Sequence, residues 1–400
     1  MKSEEYIELE EQYGAHNYHP LDIVITRAQG VWVYDLDGKR YLDCLSAYSA
    51  LNQGHVHPAI LDAMVKQAGQ LTLTSRAFRN DRLPLLYKAI SDLTGYEMSL
   101  LMNSGAEAVE TAIKLVRKWA YTVKKIPRYQ AEIVVASGNF HGRTTTIVSF
   151  SSDPYYRDEF GPFTPGFVSV PFGDASALEL SITPNTAAVL IEPIQGEAGV
   201  IIPPDGYLRQ VSQICAANNV LLVADEIQTG LGRTGRLFAC QRENVRPDIT
   251  IIGKALSGGF YPISAVLADK VLLDLFEPGE HGSTFGGNPL AAAIGVAALK
   301  VIGDENLAEN AEIQGEYLLD QLSEIPQVNI KEVRGRGLLI GIELKPGAGG
   351  ARHFSEQLME KGILTKETHE NVIRVAPPLI IDRATVDWSI PIFREILTGS

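Results

Sequence analysis

The stretch Val220-Leu-Leu-Val-Ala-Asp-Glu226 decides the fold class, because a run of apolar residues passes directly into two acidic ones. Ala187–Glu192 and Ile249–Lys254 show the same pattern, since each apolar run ends in a charged residue. Short apolar runs of this kind are typical of parallel strands that are buried on both faces. The helical periodicity between the runs, as in Tyr207–Ala217, predicts an α/β fold with helices covering a mostly parallel sheet.

The composition is that of a globular enzyme. The chain has 400 residues, of which 45% are hydrophobic and 21% charged, and at about 150 residues per domain this length predicts two or three domains. The net charge of −13 argues against nucleic acid as a partner, because the phosphate backbone attracts basic surfaces. The longest apolar run, Leu290–Leu299, is shorter than the roughly 20 residues of a membrane helix.

The first residues and the cysteines indicate the cellular compartment. The opening MKSEEYIELEEQ is acidic and polar, so we expect neither a secretory nor a mitochondrial targeting segment. Cys44, Cys215 and Cys240 are widely separated, which fits neither a disulfide framework nor a zinc site. We therefore expect a cytoplasmic protein without membrane attachment.

Changes in pattern predict the domain boundaries. Residues 1–50 contain a hairpin, in which an Asp-Gly pair turns Val31–Tyr34 back into Lys39–Leu45. Residues 51–287 hold the alternating strands and helices and form the predicted large domain. Residues 288–400 change to segregated helices and strands, which is typical of a smaller α+β domain. We expect the N-terminal hairpin to join this smaller domain.

The charged residues at two strand ends fit the chemistry of pyridoxal phosphate. Ligands gather at the carboxyl ends of parallel strands, so Lys254 and Asp225 are expected to face the same site. Desolvation lowers the pKa of a lysine and makes it nucleophilic toward an aldehyde, and an aspartate can hold the protonated pyridine nitrogen. Each residue alone has an ordinary alternative, as a lysine that extends to solvent or an aspartate that caps a helix.

Two further segments supply groups that this cofactor needs. Gly105 and Ala106 lie in Asn103–Glu107, which opens a predicted helix, and free backbone amides at a helix N-terminus bind phosphate. An ordinary capping box is the alternative for the same residues. Phe140 and His141 follow another predicted strand and offer rings that could cover a flat cofactor, although such pairs also occur in core packing.

One motif supports a rival class of enzyme. Gly230-Leu-Gly-Arg-Thr-Gly235 fits the dinucleotide-binding pattern of nicotinamide-dependent dehydrogenases. The fit is poor because Asp225 and Glu226 would lie near the pyrophosphate, and no second strand ends in an acidic residue about 20 positions later. The pair His55-x-His57 is interpreted as loop structure, so no metal site is expected.

An ordered series of motifs over nearly the whole chain resembles the class III pyridoxal-phosphate aminotransferases. The motifs are Asn103-Ser-Gly-Ala-Glu-Ala108, Asn139-Phe-His-Gly-Arg-Thr144, Glu192-Pro193, Ala224-Asp-Glu-Ile-Gln-Thr-Gly230, Arg233-Thr-Gly235, Pro247-Asp248 and Gly253-Lys-Ala-Leu-Ser-Gly-Gly259. This resemblance implies a fold-type-I homodimer with active sites at the subunit interface.

Other blocks resemble the ornithine aminotransferases within that class. They are His16-Asn-Tyr-His-Pro20, Ser46-Ala-Tyr-Ser-Ala50, Leu73-Thr-Ser-Arg-Ala-Phe78, Glu192-Pro-Ile-Gln-Gly-Glu-Ala-Gly199, His281-Gly-Ser-Thr-Phe-Gly-Gly-Asn-Pro289 and Arg374-Val-Ala-Pro-Pro378. The resemblance implies transfer of the terminal amine of L-ornithine to 2-oxoglutarate, in arginine degradation or proline biosynthesis. An acetylornithine or 4-aminobutyrate-type aminotransferase is the alternative.

The resemblance also implies roles around the cofactor. Lys254 would bind the aldehyde and move a proton between substrate and cofactor, and Asp225 would hold the ring nitrogen. The other cofactor-binding residues would be Gly105, Ala106 and, across the dimer interface, Thr284 at the phosphate, Phe140, His141 and Ile227 at the ring faces, Gln228 at the phenolic oxygen, and Glu192 in the surrounding network.

Five residues are implied in substrate binding. Arg374 would bind the carboxylate beside the reacting carbon of glutamate, and Glu197 would neutralise this arginine when ornithine is bound. Arg143 would bind the far carboxylate of either substrate. Tyr18 and Tyr48 would recognise the free α-amino acid end of ornithine.

Overall fold

The computed structural model describes residues 1–399, whose strands form three sheets. The strands are β1 (Ile25–Gln29), β2 (Trp32–Asp35), β3 (Arg40–Asp43), β4 (Met98–Met102), β5 (Glu132–Ala136), β6 (Phe167–Val170), β7 (Thr186–Ile191), β8 (Leu221–Asp225), β9 (Ile249–Ile252), β10 (Ser264–Ala268), β11 (Ile330–Arg336), β12 (Leu339–Leu344), β13 (Ile363–Leu364), β14 (Lys366–Thr368) and β15 (Val372–Val375).

Helices cover the sheets and connect their strands. They are α1 (Ser3–Tyr13), α2 (Ser46–Ser49, a single turn), α3 (Pro58–Ala68), α4 (Leu83–Thr94), α5 (Gly105–Trp119), α6 (Thr145–Val148), α7 (Pro154–Arg157), α8 (Ala175–Ser181), α9 (Tyr207–Ala217), α10 (Lys270–Leu273), α11 (Pro289–Asp304), α12 (Leu307–Ser323), α13 (Ala351–Glu360) and α14 (Arg383–Thr398). Short 3₁₀ turns span Ala239–Glu243 and Lys254–Ser257, and a π-helical turn follows α5.

The largest sheet has seven strands in the order β4-β10-β9-β8-β7-β5-β6. The pairs β6/β5, β5/β7, β7/β8 and β8/β9 are parallel, whereas β10 is antiparallel to both of its neighbours. Every residue of β7, β8 and β9 is buried. The predicted α/β fold with a mostly parallel sheet is confirmed.

The parallel register brings three charged residues to one edge of this sheet. Ile191 pairs with Ala224, and Asp225 pairs with Ile251 on the next strand. Because β7, β8 and β9 run in the same direction, their carboxyl ends lie at one edge of the sheet. Glu192, Asp225 and Lys254 stand at or just beyond these ends and therefore lie close together. The residues predicted to face one site therefore lie at the same edge of the sheet.

Helix α5 begins beside the same edge. The Ser104 hydroxyl accepts a hydrogen bond from the Glu107 backbone N–H at 3.2 Å, and the Glu107 carboxylate accepts one from the Ser104 N–H at 2.7 Å. This capping box fixes the start of the helix, yet the first backbone N–H groups of a helix lack intrahelical acceptors. Capping and anion binding are therefore compatible at Gly105 and Ala106.

Both ends of the chain contribute to one small sheet. The predicted hairpin is present, with Trp32 paired to Leu42 and a positive φ at Gly38 in its turn. Its second strand, β3, pairs in parallel with β13 through Leu42 and Ile363. The third sheet has the order β11-β12-β15-β14. The division at residues 50 and 287 stays a prediction.

The glycine-rich segment that imitates a dinucleotide-binding loop carries a buried arginine instead. The Arg233 guanidinium donates to the carbonyl oxygens of Leu338 at 2.9 Å and Pro377 at 2.6 Å, and to Asn52 Oδ1 at 2.7 Å. Burial lowers the pKa of Arg233 to about 9. This single side chain therefore joins three segments that are distant in sequence.

Arg233→Met should lower the free energy of unfolding by about 3 kcal/mol or more, because three buried acceptors lose their donor. The control is Arg236→Met, since Arg236 is exposed and lies 3.8 Å from Glu312, and its loss should cost less than about 1 kcal/mol. Urea denaturation of both variants measures the difference. Equal losses would contradict the proposed structural role of Arg233.

Candidate active site

A cavity of about 200 Å³ lies at the carboxyl ends of the central strands. Nine of the ten residues predicted to bind the cofactor line it: Gly105, Ala106, Phe140, His141, Glu192, Asp225, Ile227, Gln228 and Lys254. Gly142, Ile194 and Thr229 complete the lining. The structure thus brings together residues that are up to 149 positions apart in the sequence.

Lys254 occupies a strained position at the end of its strand. It starts the 3₁₀ turn after β9 with a φ of +44°, a conformation that residues with a Cβ seldom adopt. Such strain is typical of functional sites that hold a side chain in one direction. Burial lowers the pKa of Lys254, although the negative charge of Glu197 opposes this shift. A lysine with a lowered pKa is a better nucleophile at neutral pH.

Asp225 and His141 form a buried pair on the floor of the cavity. His141 Nδ1 lies 2.7 Å from Asp225 Oδ2, and Asp225 Oδ1 accepts a hydrogen bond from the Ile227 N–H at 3.0 Å. Burial opposes a charged imidazole, but the hydrogen bond to Asp225 and its charge outweigh this and raise the pKa of His141. The imidazole therefore orients the aspartate as well as covering the cavity.

Glu192 lies next to this pair and is also buried. Its Oε2 accepts a hydrogen bond from the Phe140 N–H at 2.9 Å. Burial, reinforced by the charge of Asp225, raises the pKa of Glu192 to about 8, against a lowering influence of His141. Glu192 therefore retains its proton near neutral pH.

The cavity fits pyridoxal phosphate. His141 Nε2 and Gln228 Oε1 are buried without a hydrogen-bond partner. A Cβ at position 105 would lie 2.9 Å from Ile227 Cδ1, so glycine allows the start of α5 to approach the cavity wall. A lysine, an aspartate and a helix N-terminus around one small cavity are the three groups that this cofactor requires.

A second cavity of about 560 Å³ adjoins the first and shares Phe140, Gly142 and Lys254 with it. Four of the five predicted substrate residues line it: Tyr18, Tyr48, Arg143 and Glu197. Lys254 lines both cavities, so a substrate in the second cavity would lie beside this lysine.

Glu197 and Arg374 form an ion pair at the wall of the second cavity. Arg374 Nη1 lies 2.8 Å from Glu197 Oε1, and the same oxygen accepts from Gln228 Nε2 at 2.9 Å. Burial raises the pKa of Glu197, but the charge and hydrogen bond of Arg374 outweigh this and lower it to about 2. Because Arg374 is 1% exposed, Glu197 is the group that neutralises it in this structure.

Three of the predicted residues are exposed in this chain. Thr284 is exposed and lines neither cavity of its own chain, so its role across a dimer interface stays a prediction. Tyr18 contributes to the cavity wall but is 68% exposed. Arg143 is also exposed, and its guanidinium lies 4.7 Å from the centre of the Tyr156 ring.

Sequence reasoning missed two residues of this site. Thr368 Oγ1 accepts a hydrogen bond from Arg374 Nη2 at 2.9 Å, and Tyr156 stacks edge-on against Phe140 at 5.8 Å. The hairpin β14/β15 places Thr368 opposite Val372, and the three residues between its short strands were the available signal. For Tyr156 no periodic or motif signal exists.

Other kinds of site are not seen in residues 1–399. This part of the chain holds no group of three or more His, Cys, Asp or Glu side chains arranged to bind a metal. None of its helices is long and apolar enough to cross a membrane. The histidines of the His55-x-His57 pair contact Asp43 and Glu305 instead, at 2.8 Å and 2.9 Å.

Comparison with known proteins places the chain in the class of enzymes that the fold and the site define. The family model for class-III aminotransferases matches residues 13–397, and the chain belongs to this family. Its members use pyridoxal 5′-phosphate, so the predicted cofactor and the fold-type-I architecture are confirmed.

Individual relatives and solved structures to which the chain is similar are mostly ornithine aminotransferases. The ornithine aminotransferase of Brevibacillus brevis is 59% identical over 99% of this chain and 98% of that protein. The crystal structure of the Toxoplasma gondii ornithine aminotransferase superposes with a TM-score of 0.98 at 44% identity, covering 100% of this chain and 96% of that one. An acetylornithine aminotransferase from Elizabethkingia anophelis superposes with a TM-score of 0.91 at 47% identity over 100% of both chains. Another T. gondii structure is described with partial occupancy of PLP.

The pKa of Glu192 predicts how stability depends on pH in the cofactor-free protein. Its folded pKa of about 8 lies above its ordinary value of 4.5, so the native state retains a proton that the unfolded chain releases. Stability should therefore fall as pH rises from about 5 to 8. In Glu192→Gln this fall should be shallower, by at most about 1.4 kcal/mol for each pH unit.

Urea denaturation at several pH values measures both slopes. The exposed Glu179→Gln is the matched control, because it removes a carboxylate outside the site. If the slope of Glu192→Gln equals those of the wild type and the control, Glu192 is not a buried protonated carboxyl in the native state.

Proposed function

We propose that this protein is an ornithine δ-aminotransferase. It transfers the terminal amine of L-ornithine to 2-oxoglutarate and yields glutamate 5-semialdehyde and glutamate. We propose further that it acts in the cytoplasm as a homodimer with active sites at the subunit interface, in arginine degradation or proline biosynthesis. The relatives at 55–59% identity, all ornithine aminotransferases, support the choice of amino donor.

The observation that carries this proposal is the Glu197–Arg374 ion pair beside Lys254. Ornithine reacts at a CH₂ group without a charge, whereas glutamate reacts at a carbon that bears a carboxylate. A buried arginine without a partner is costly, so an enzyme that accepts both substrates in one site must neutralise Arg374 for the first and release it for the second. Glu197 is positioned for this exchange, because its contacts are side chains that can rotate.

The residues around the smaller cavity divide the work on the cofactor. Pyridoxal phosphate, when bound, supplies an aldehyde for amines and a ring that accepts electrons. Lys254 would hold the aldehyde and move the proton, and Asp225 would keep the ring nitrogen protonated. The N-terminus of α5 would bind the phosphate, while Phe140 and His141 would cover one face of the ring and Ile227 the other.

The far end of the substrate would lie against the second group of residues. Arg143 is positioned at the mouth of the larger cavity, where its guanidinium can pair with a carboxylate in two hydrogen bonds. Tyr18 and Tyr48 line the same cavity and would contact the α-amino acid end of ornithine. An N-acetyl group on that end would remove its positive charge and add bulk beside both tyrosines.

Activity with 2-oxoglutarate should be at least about tenfold higher in kcat/KM for ornithine than for N-acetylornithine or 4-aminobutyrate, because only free ornithine uses both polar ends of the cavity. Parallel coupled assays of the three donors measure this preference. The Lys254→Ala variant is the control for background transfer and should be inactive. A preference for N-acetylornithine would replace the proposed function with the acetylornithine alternative.

Glu197→Ala should leave Arg374 free in both half-reactions. We expect it to lower the relative rate with ornithine and to increase activity with amines next to a carboxylate by about tenfold. Single-turnover rates with ornithine and glutamate give this ratio. Glu356→Ala is the matched control, because it removes the carboxylate of another arginine pair, Arg352–Glu356 at 2.7 Å, outside the cavities. An unchanged ratio in Glu197→Ala would contradict the exchange of partners.

A further inference from the structure

The short turn α2 is left-handed along its whole length. Its φ angles are +50° at Ser46, +46° at Ala47, +60° at Tyr48 and +72° at Ser49. Residues with a Cβ avoid this region because the Cβ approaches the following carbonyl oxygen, and they normally enter it singly. Four in succession persist only where the surrounding structure determines them.

A buried carboxylate holds the beginning of this turn. Asp43 Oδ1 accepts hydrogen bonds from the backbone N–H groups of Leu45 and Ser46, both at 2.9 Å. Its other oxygen, Oδ2, lies 2.8 Å from His55 Nε2. Asp43 is 7% exposed, so these contacts are shielded from water and fix its orientation.

A second anchor ties the turn to the strand that carries Arg374. The Ser46 hydroxyl donates to the carbonyl oxygen of Ala376 at 2.7 Å. The Ala376 N–H in turn donates to the carbonyl oxygen of Cys44 at 2.7 Å. Because Ala376 directly follows β15, the distance between the left-handed turn and Arg374 is set by hydrogen bonds.

This arrangement directs Tyr48 into the substrate cavity. The Arg374 guanidinium lies 5.6 Å from the centre of the Tyr48 ring, and Tyr48 lines the larger cavity together with Glu197. A right-handed turn of the same residues would point the side chain elsewhere, since side-chain direction follows the backbone. The left-handed backbone, although unfavourable, therefore directs the Tyr48 side chain into the cavity.

We propose that Asp43, oriented by His55, is a positioning residue for recognition of the amino donor. It holds the left-handed turn so that Tyr48 faces the substrate, and it acts only through Tyr48. This inference rests on the proposed function, in which Tyr48 contacts ornithine. Asp43 touches neither the cofactor site nor the reacting atoms, so its loss should weaken donor binding and leave proton transfer by Lys254 unaffected.

Fluorine NMR of the holoenzyme tests the position of Tyr48 directly. In protein labelled with 3-fluorotyrosine, the resonance of Tyr48 is assigned by its absence in Tyr48→Phe. This resonance should shift or broaden in Asp43→Ala and in Ser46→Ala, because each removes one anchor of the turn. An unmoved resonance in Asp43→Ala would overturn the proposal.

The matched control is Asp35→Ala. Asp35 also caps a turn, since its Oδ1 accepts from the N–H groups of Asp37 at 3.0 Å and Lys39 at 2.9 Å. It ends β2, at the turn of the same hairpin whose second strand ends at Asp43, and it lines neither cavity. The Tyr48 resonance should stay in place in this variant, and a shift equal to that of Asp43→Ala would show general loosening of the sheet.

Half-reaction kinetics test whether Asp43 acts through Tyr48. Asp43→Ala should lower kcat/KM for ornithine at least about tenfold, mainly through KM, with less than about a threefold change for glutamate. Added to Tyr48→Phe, it should lower kcat/KM for ornithine by less than about twofold. Asp43→Asn, which keeps an acceptor oxygen, should restore most of the activity. Equal losses with both substrates, or multiplied losses in the double variant, would overturn the proposal.

The two measurements separate this inference from the proposed function. If the wild type does not react with ornithine, the proposed function is wrong, and the fluorine resonance still decides whether Asp43 positions Tyr48. If Asp43→Ala does not fold, Ser46→Ala serves in both experiments, because it removes a single hydroxyl and leaves the carboxylate in place.

Discussion

The active site depends on the burial of several ionisable groups beside one sheet edge, where each is neutralised by a partner or by a proton. Asp225 pairs with His141, Glu197 pairs with Arg374, and Glu192 is protonated near neutral pH. None of these charged groups would be stable without its partner, since an isolated buried charge costs several kcal/mol or more. The parallel register of the central strands sets the spacing of Glu192 and Asp225 before any ligand binds, whereas Arg374 is supplied by β15 of the third sheet.

Sequence patterns predicted the parts of the fold that are buried on both sides. The strands β7, β8 and β9 are continuous apolar runs, and α9 has the predicted bounds. The edge strands β4 and β6 escaped prediction, because half-exposed strands lack such a run. Helix α1 was also missed: it has no buried residue, so no apolar periodicity marks it.

The sequence supplied candidate site residues where a motif fixes chemistry, and it missed residues that only packing brings to the cavities. Lys254, Asp225 and Glu197 belong to motifs, and the structure places each of them at a cavity. Thr368 reaches Arg374 only because β14 and β15 form a hairpin, and the three residues between these short strands were its only local signal. The left-handed turn at Tyr48 is invisible in the sequence, since its residues are not glycine and have no preference for that backbone.

The pairing of β3 with β13 has a consequence for synthesis of the chain. β3 ends at Asp43, only five residues before Tyr48, and it gains its neighbour only when residues 363–364 have been made. The Ala376 contacts of the adjoining segment come later still. On the ribosome the large central sheet can assemble first, while the segment around Tyr48 gains its partners only when the last tenth of the polypeptide has been made. A translation product interrupted before this point would thus carry Lys254 and the neighbouring carboxylates in a cavity that lacks the wall formed by Tyr48.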